Sequence, residues 1–179
     1  MTEKIICAGF GGQGIMLMGQ LLARSGLNQG RYVSWLPSYG AEVRGGTAFC
    51  HVILSDKEIP SPYIQLADTA ILMNEPSLLK FQKYLKKGGL VLLNSSLAKK
   101  SSQRKDINVY KIPFTDIALN LGNIKIANSV ALGAYIALKK IFSKDELFKI
   151  IQEVAPKGKR ELIAINKKAI EAGMGQIKK

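Results

Sequence analysis

A turn built from glycine constrains this chain more than any other stretch. Residues 9–14 read Gly9-Phe10-Gly11-Gly12-Gln13-Gly14 and follow the apolar run Ile5-Ile6-Cys7-Ala8. A short apolar strand that runs straight into glycines reads as the start of a parallel βα unit. The sharp strand-to-helix connection needs positive φ or a close backbone approach that a Cβ forbids. The spacing is the G-x-G-x-x-G of a dinucleotide-binding turn, in which an acid about 20 residues further on holds the ribose. Here that region is Tyr32-Val33-Ser34-Trp35-Leu36, with no acid. NAD and FAD therefore fit poorly. Another anion at the helix N-terminus, or a purely structural turn, both stay open.

Downstream, strand and helix patterns alternate. A helix is expected from Gly14 to Gln29, with Met16, Leu17, Met18, Leu21 and Leu22 giving it a broad apolar surface. Strands are expected at Tyr32 to Leu36, Thr47 to Leu54, Ala67 to Met73, Leu90 to Leu93 and Val109 to Ile112, with Pro37-Ser38-Tyr39-Gly40 as a turn. Asn74-Glu75-Pro76 has the makings of a capped helix start, and Lys86-Lys87-Gly88-Gly89 reads as that helix's end. Beyond Ile112 the pattern is helical: Asn128 to Ile141, then a helix opened by the capping box Ser143-Lys144-Asp145-Glu146, then Glu161 to Ala172. The expected fold class is α/β, a mostly parallel Rossmann-like open sheet flanked by helices with a helical C-terminal part. At 179 residues and 47% apolar, residues 1–179 are expected to form a single domain.

Composition removes several functions. Cys7 and Cys50 are the only cysteines and His51 the only histidine, too few for a four-cysteine iron–sulfur site or an ordinary zinc site. Both cysteines lie in apolar runs and read as small buried thiols, and His51, inside a strand-like run, as an imidazole bonded to a neighbour. No apolar run has the length of a membrane span, and Met1-Thr2-Glu3-Lys4 resembles neither a signal nor a transit peptide, so a cytoplasmic location is expected. The net charge of +13 is lopsided: residues 1–79 hold five Lys/Arg and six Asp/Glu, residues 80–179 hold 21 and seven. Such a field attracts anions of many kinds, but no interleaving of basic and aromatic residues suited to nucleic acid accompanies it.

In an open parallel sheet, ligands bind beyond the C-terminal ends of the strands. Three unusual segments fall there: Gly9 to Gly14, Ser38 to Gly46, and Asn94-Ser95-Ser96. Glu42 and Arg44 stand two apart, so an extended backbone sends both to one side, where the guanidinium can pair with a carboxylate or phosphate. Gly45 and Gly46 let another surface come close. No G-x-S-x-G elbow, no H-E-x-x-H and no lysine after the glycines is present, and a second histidine is missing. A glycine turn without catalytic partners suggests a subunit.

Gly9-Phe10-Gly11-Gly12-Gln13-Gly14, then Ser38-Tyr39-Gly40-Ala41-Glu42-Val43-Arg44-Gly45-Gly46-Thr47-Ala48, Ala67-Asp68, Gly88-Gly89, Asn94-Ser95 and the apolar helix with Asn128 and Leu132-Gly133-Ala134 resemble the gamma subunit of 2-oxoacid:ferredoxin oxidoreductases, most of all the 2-oxoglutarate type. The resemblance covers nearly the whole chain. It implies a multi-subunit enzyme that decarboxylates a 2-oxoacid on thiamine diphosphate and Mg2+, joins the acyl group to coenzyme A, and passes electrons through iron–sulfur clusters to ferredoxin. The thiamine site belongs to alpha and beta subunits, with a ferredoxin-like delta subunit as a further candidate partner. No catalytic or metal-binding residue is expected in this chain, and no cofactor bound by it alone. Gly9, Gly11, Gly12, Gln13 and Gly14 are expected to form a phosphate or interface loop, and Tyr39, Glu42, Arg44, Gly45, Gly46 and Asn94 an interface. The alternative is a free-standing nucleotide- or coenzyme A-binding module; a basic RNA-binding domain is a third reading.

Overall fold

The computed structural model describes residues 1–39, 47–156, 158 and 160–177, Tyr39 by its backbone. Six strands form one sheet: β1 (Thr2–Phe10), β2 (Tyr32–Tyr39), β3 (Thr47–Ser55), β4 (Ala67–Leu72), β5 (Leu85–Asn94) and β6 (Asn108–Ile112), in the order β2-β3-β1-β4-β5-β6. β1, β4, β5 and β6 pair in parallel, whereas β3 runs antiparallel to both β1 and β2. The mostly parallel α/β architecture expected from the sequence is therefore present, with β3 as its one reversed strand.

β1 lies at the centre, and its alternation sorts the core into two layers. Ile5 and Cys7 face a helical layer of α1 (Ile15–Asn28), α3 (Phe114–Asn120), α4 (Ala127–Lys139), α5 (Lys144–Val154) and α6 (Arg160–Gly175). Ile6 and Ala8 face the other side, where α2 (Glu75–Phe81) is the covering helix. A strand buried on both faces reads as continuous apolar sequence, and Ile5-Ile6-Cys7-Ala8 has none of the alternation of a half-exposed one. Cys7 and Cys50 sit opposite each other across β1 and β3 as buried free thiols.

Several local expectations need correction. Lys86–Gly89 does not end a helix: α2 stops at Phe81, a 3-10 turn follows, and β5 already starts at Leu85. The four residues form an irregularity, where pairing with β4 jumps from Ala67↔Leu85 to Thr69↔Leu90. Gly88, at φ 75°, donates its amide to the Asp106 carbonyl (2.7 Å), a partner 18 residues away that no local pattern announces. β2 runs on through Pro37 to Tyr39 instead of turning, which proline permits because β2 is an edge strand. α3 is a seven-residue helix that the sequence pattern does not announce.

α4 and α6 run side by side in the same direction, since Ser129 bonds Asn166 and Gly133 meets Ile170. A Cβ on Gly133 would fall on the Ile170 carbonyl, and one on Gly173 on the Val130 carbonyl, so the two backbones touch. Gly133→Ala should therefore lower unfolding free energy by about 1–3 kcal/mol, the usual cost of overpacking. Urea denaturation checks this, and an unchanged midpoint contradicts it.

The capping box of α5 is complete: Ser143 Oγ accepts from the Glu146 amide (3.1 Å), and Glu146 accepts from the Ser143 amide (2.6 Å). That amide, with Gln29 Nε2 (3.0 Å) as a second donor, holds the Glu146 carboxyl below its ordinary value near 4.5. A depressed carboxyl stabilises the fold fully above its unfolded pKa, and this is lost as pH falls through the folded one. Glu146→Gln should cost about 1 kcal/mol near pH 7 and less as the pH drops below 4.5. Melting curves at pH 7 and pH 3.5 test the sign; an equal difference at both is the contrary result.

Candidate functional site

Every parallel strand delivers its C-terminal end to one edge of the sheet, and there the glycine turn is joined to the ends of β4 and β5 and the starts of α3 and α4. β1 ends at Phe10, and α1 begins after Gly14, whose φ is 71° and whose Cβ would collide with the Asn128 side chain. Asn128 Nδ2 donates to the Gly14 carbonyl (3.2 Å), which ties the turn to the first residues of α4.

The Gln13 side chain turns inward. Its Oε1 accepts from the Phe10 amide (2.7 Å) and from Asn74 Nδ2 (3.4 Å), and its Nε2 donates to the Met73 carbonyl (3.5 Å). That carbonyl also accepts from Asn94 Nδ2 (3.1 Å), which donates as well to Thr115 Oγ1 (2.8 Å), while the Thr115 amide donates to Asn94 Oδ1 (3.3 Å). Side-chain amides therefore bridge the ends of β1, β4 and β5 and the start of α3. Asn74 further caps α2 by accepting from the Ser77 amide (2.9 Å).

This arrangement alters the part expected of two residues. Asn94, expected at an interface, is fully buried and each of its polar atoms is engaged within the chain, so it positions the edge and presents nothing to a partner. Gln13 is engaged inside its own turn. Gly11 and Gly12 lie in the turn, the first half-buried and the second exposed. The Tyr39 side chain, Glu42, Arg44, Gly45 and Gly46 lie outside the described residues. Sequence reasoning passed over Thr115 and the bond of Asn128; the available signal was a polar residue inside an otherwise apolar run, as Asn128 is.

What the edge offers chemically is an exposed glycine turn before a 14-residue helix whose N-terminus has, among the described residues, no side-chain cap, and no acid in its first turn. Its orphan amides and positive dipole end suit an anion such as a phosphate. His51 stands elsewhere, on the other sheet face; its Nδ1 accepts from the Ile64 amide (3.2 Å), and burial pushes its pKa down. Among the described residues no three His, Cys, Asp or Glu are placed to hold a metal ion, so the donor set for an iron–sulfur cluster does not exist there. No described helix is long and apolar enough to cross a membrane.

Comparison with known proteins places the chain in a family. Residues 4–176 match the model of the pyruvate ferredoxin/flavodoxin oxidoreductase family, and the chain belongs to that family. It is 36% identical over 170 residues to ketoisovalerate oxidoreductase subunit VorA of Methanothermobacter marburgensis, covering 95% of this chain but 35% of that one. The chain thus spans about a third of the length of that relative. It is 37% identical to 2-oxoglutarate synthase subunit KorC of Methanocaldococcus jannaschii, covering 93% of this chain and 92% of the other. Among solved structures, the gamma subunit of a keto/oxoacid ferredoxin oxidoreductase from Geobacter sulfurreducens superposes with a TM-score of 0.82 at 28% identity, over 97% of each chain.

The inward Gln13 amide is testable in the isolated chain. Gln13→Leu leaves the Phe10 amide without its acceptor and should cost about 1–2 kcal/mol. Hydrogen exchange at Phe10 should accelerate accordingly, and unchanged exchange would show that the bond contributes nothing.

Proposed function

We propose that this chain is the gamma component of a multi-subunit 2-oxoacid:ferredoxin oxidoreductase, and that its glycine turn faces the path of coenzyme A at the junction with the thiamine-bearing subunits. The observation that carries this reading is the edge itself: an uncapped helix N-terminus behind a turn locked by side-chain amides, in a chain of this family. In the assembled enzyme, thiamine diphosphate supplies the decarboxylation chemistry and iron–sulfur clusters the electron transfer to ferredoxin, both held by other subunits. The role of this chain is placement. The first-turn amides of α1 receive a phosphate of coenzyme A, Gly12 leaves room for it, and Asn128 and Gln13 keep the turn from moving as it binds. Tyr39, Glu42, Arg44, Gly45 and Gly46 are proposed as the adjoining subunit contact.

Among substrates, 2-oxoglutarate is favoured, because the 2-oxoglutarate synthase relative matches nearly end to end, whereas the ketoisovalerate relative contains the match as a third of its length. The chain is proposed to work in the cytoplasm. A free-standing module that binds a nucleotide or coenzyme A is the second reading, favoured by the same uncapped helix, and it predicts binding without partners.

Co-expression with thiamine-bearing and ferredoxin-like subunits should give a stable complex that reduces dye in the presence of 2-oxoglutarate and coenzyme A. Failure of both assembly and turnover would falsify the reading, and tight binding of coenzyme A by the isolated chain on calorimetry would favour the second. Within an active complex, Gly12→Asp places a negative charge at the turn and should raise KM for coenzyme A about tenfold, a change of about 1.4 kcal/mol, within the range of a charge at a helix terminus. An unchanged KM would place the phosphate elsewhere.

A further inference from the structure

The second face of the sheet is thinly clothed. α2, the turn at residues 82–84, the loop around Ile64 and the segment from Ala98 to Ile107 cover it among the described residues. Between them opens a cavity of about 250 Å3 over Ile6, walled by Phe49, His51, Ile64, Lys80, Phe81 and Tyr84. Its walls are aromatic and ordered: Phe49 packs on Phe81 at 5.0 Å between centroids and on His51 at 5.6 Å. Apolar side chains stand in solvent next along the chain to this lining, Tyr63 69% exposed, Leu66 50% and Leu79 46%, with Tyr84 itself at 37%.

Lys80 and His51 present donors to the cavity, beside the Tyr84 hydroxyl, which donates or accepts. Lys80 Nζ lies 5.0 Å from the Phe49 centroid and 5.3 Å from that of Phe81, and it has no carboxylate partner among the described residues. Lys83 Nζ lies 5.1 Å from the Tyr84 centroid, likewise without such a partner. Because His51 Nδ1 accepts from the Ile64 amide, the neutral ring carries its proton on Nε2, a donor with no acceptor among the described residues. Aromatic walls with unmatched donors ask for an acid beside an apolar group.

We infer that this cavity is a docking point for another subunit of the complex. That subunit seats an apolar side chain between Phe49, Phe81 and Tyr84 and sets a neighbouring carboxylate against Lys80 and the His51 Nε2–H. The inference rests on the oxidoreductase-subunit reading above. A protein partner accounts for the features better than a small molecule does. The volume falls below the roughly 300 Å3 at which ligand pockets begin, and Tyr84, a wall of the cavity, is itself 37% exposed and open to a protein surface. Charge complementarity selects an acidic segment, since the stretch Lys80 to Lys87 holds four lysines and no acid, and of these Lys86 is paired, with Asp68.

The test uses the co-expressed complex. Lys80→Glu should weaken association at least tenfold at physiological salt, while Lys149→Glu on the exposed helical layer leaves it unchanged, both variants melting like the parent. Equal association for the two overturns the docking point. With Tyr84 replaced by p-benzoylphenylalanine, irradiation should link this chain to a second subunit within a few residues of an Asp or Glu. Intrachain products alone from an assembled complex overturn it, as does a small acid found bound to the isolated chain by native mass spectrometry with Lys80→Glu assembling normally. A parent chain that never assembles removes the subunit reading itself, which separates the two failures.

Discussion

The carbonyl of Met73 is the point on which the C-terminal edge of the sheet depends. Its own amide is fixed first, donating to the Ala8 carbonyl (2.8 Å) and so continuing the β1–β4 pairing past the end of β4. The carbonyl then receives an amide from the glycine turn and another from the end of β5. The ends of three strands and the glycine turn are thereby referenced to one residue. A buried carbonyl with two lone pairs can take both donors, and each bond is strengthened by the low dielectric around it. The geometry of the turn is therefore set from beneath, by side chains, and does not depend on whatever later touches it from outside.

That dependence explains what was legible in the sequence and what was not. Short-range chemistry could be read: the glycines after Ala8, the Asn74 cap with its early proline, and the Ser143–Glu146 box each involve partners within a few residues, and each occurs where the spacing predicts. The misreadings share a long-range cause. Lys86–Gly89 looks like a helix end because two glycines follow two lysines, yet the conformation of Gly88 answers to Asp106. Pro37 looks like a turn until β2 is known to be an edge. Asn94 looks like an exposed polar residue at a strand end, and its burial follows only from Met73 and Thr115 closing over it. Half of the candidate contact, Glu42 to Gly46, was conspicuous in sequence and lies beyond the described residues.

The two faces of the sheet divide the labour. The helical face carries most of the buried apolar residues, from α1 and α3 to α6, and supplies stability. The face under α2 is smaller, and Lys80 and Lys83 stand over its aromatic rings.

The contact between α4 and α6 has a mechanical consequence. Where backbones touch at Gly133 and Gly173 there are no side chains left to slide or repack, so the two helices act as one stiff strut. The end of that strut is Asn128, and Asn128 holds Gly14. A load applied to the glycine turn from above is thus passed into a double helix braced against the whole helical layer. A turn that would deform as an isolated loop becomes an anvil.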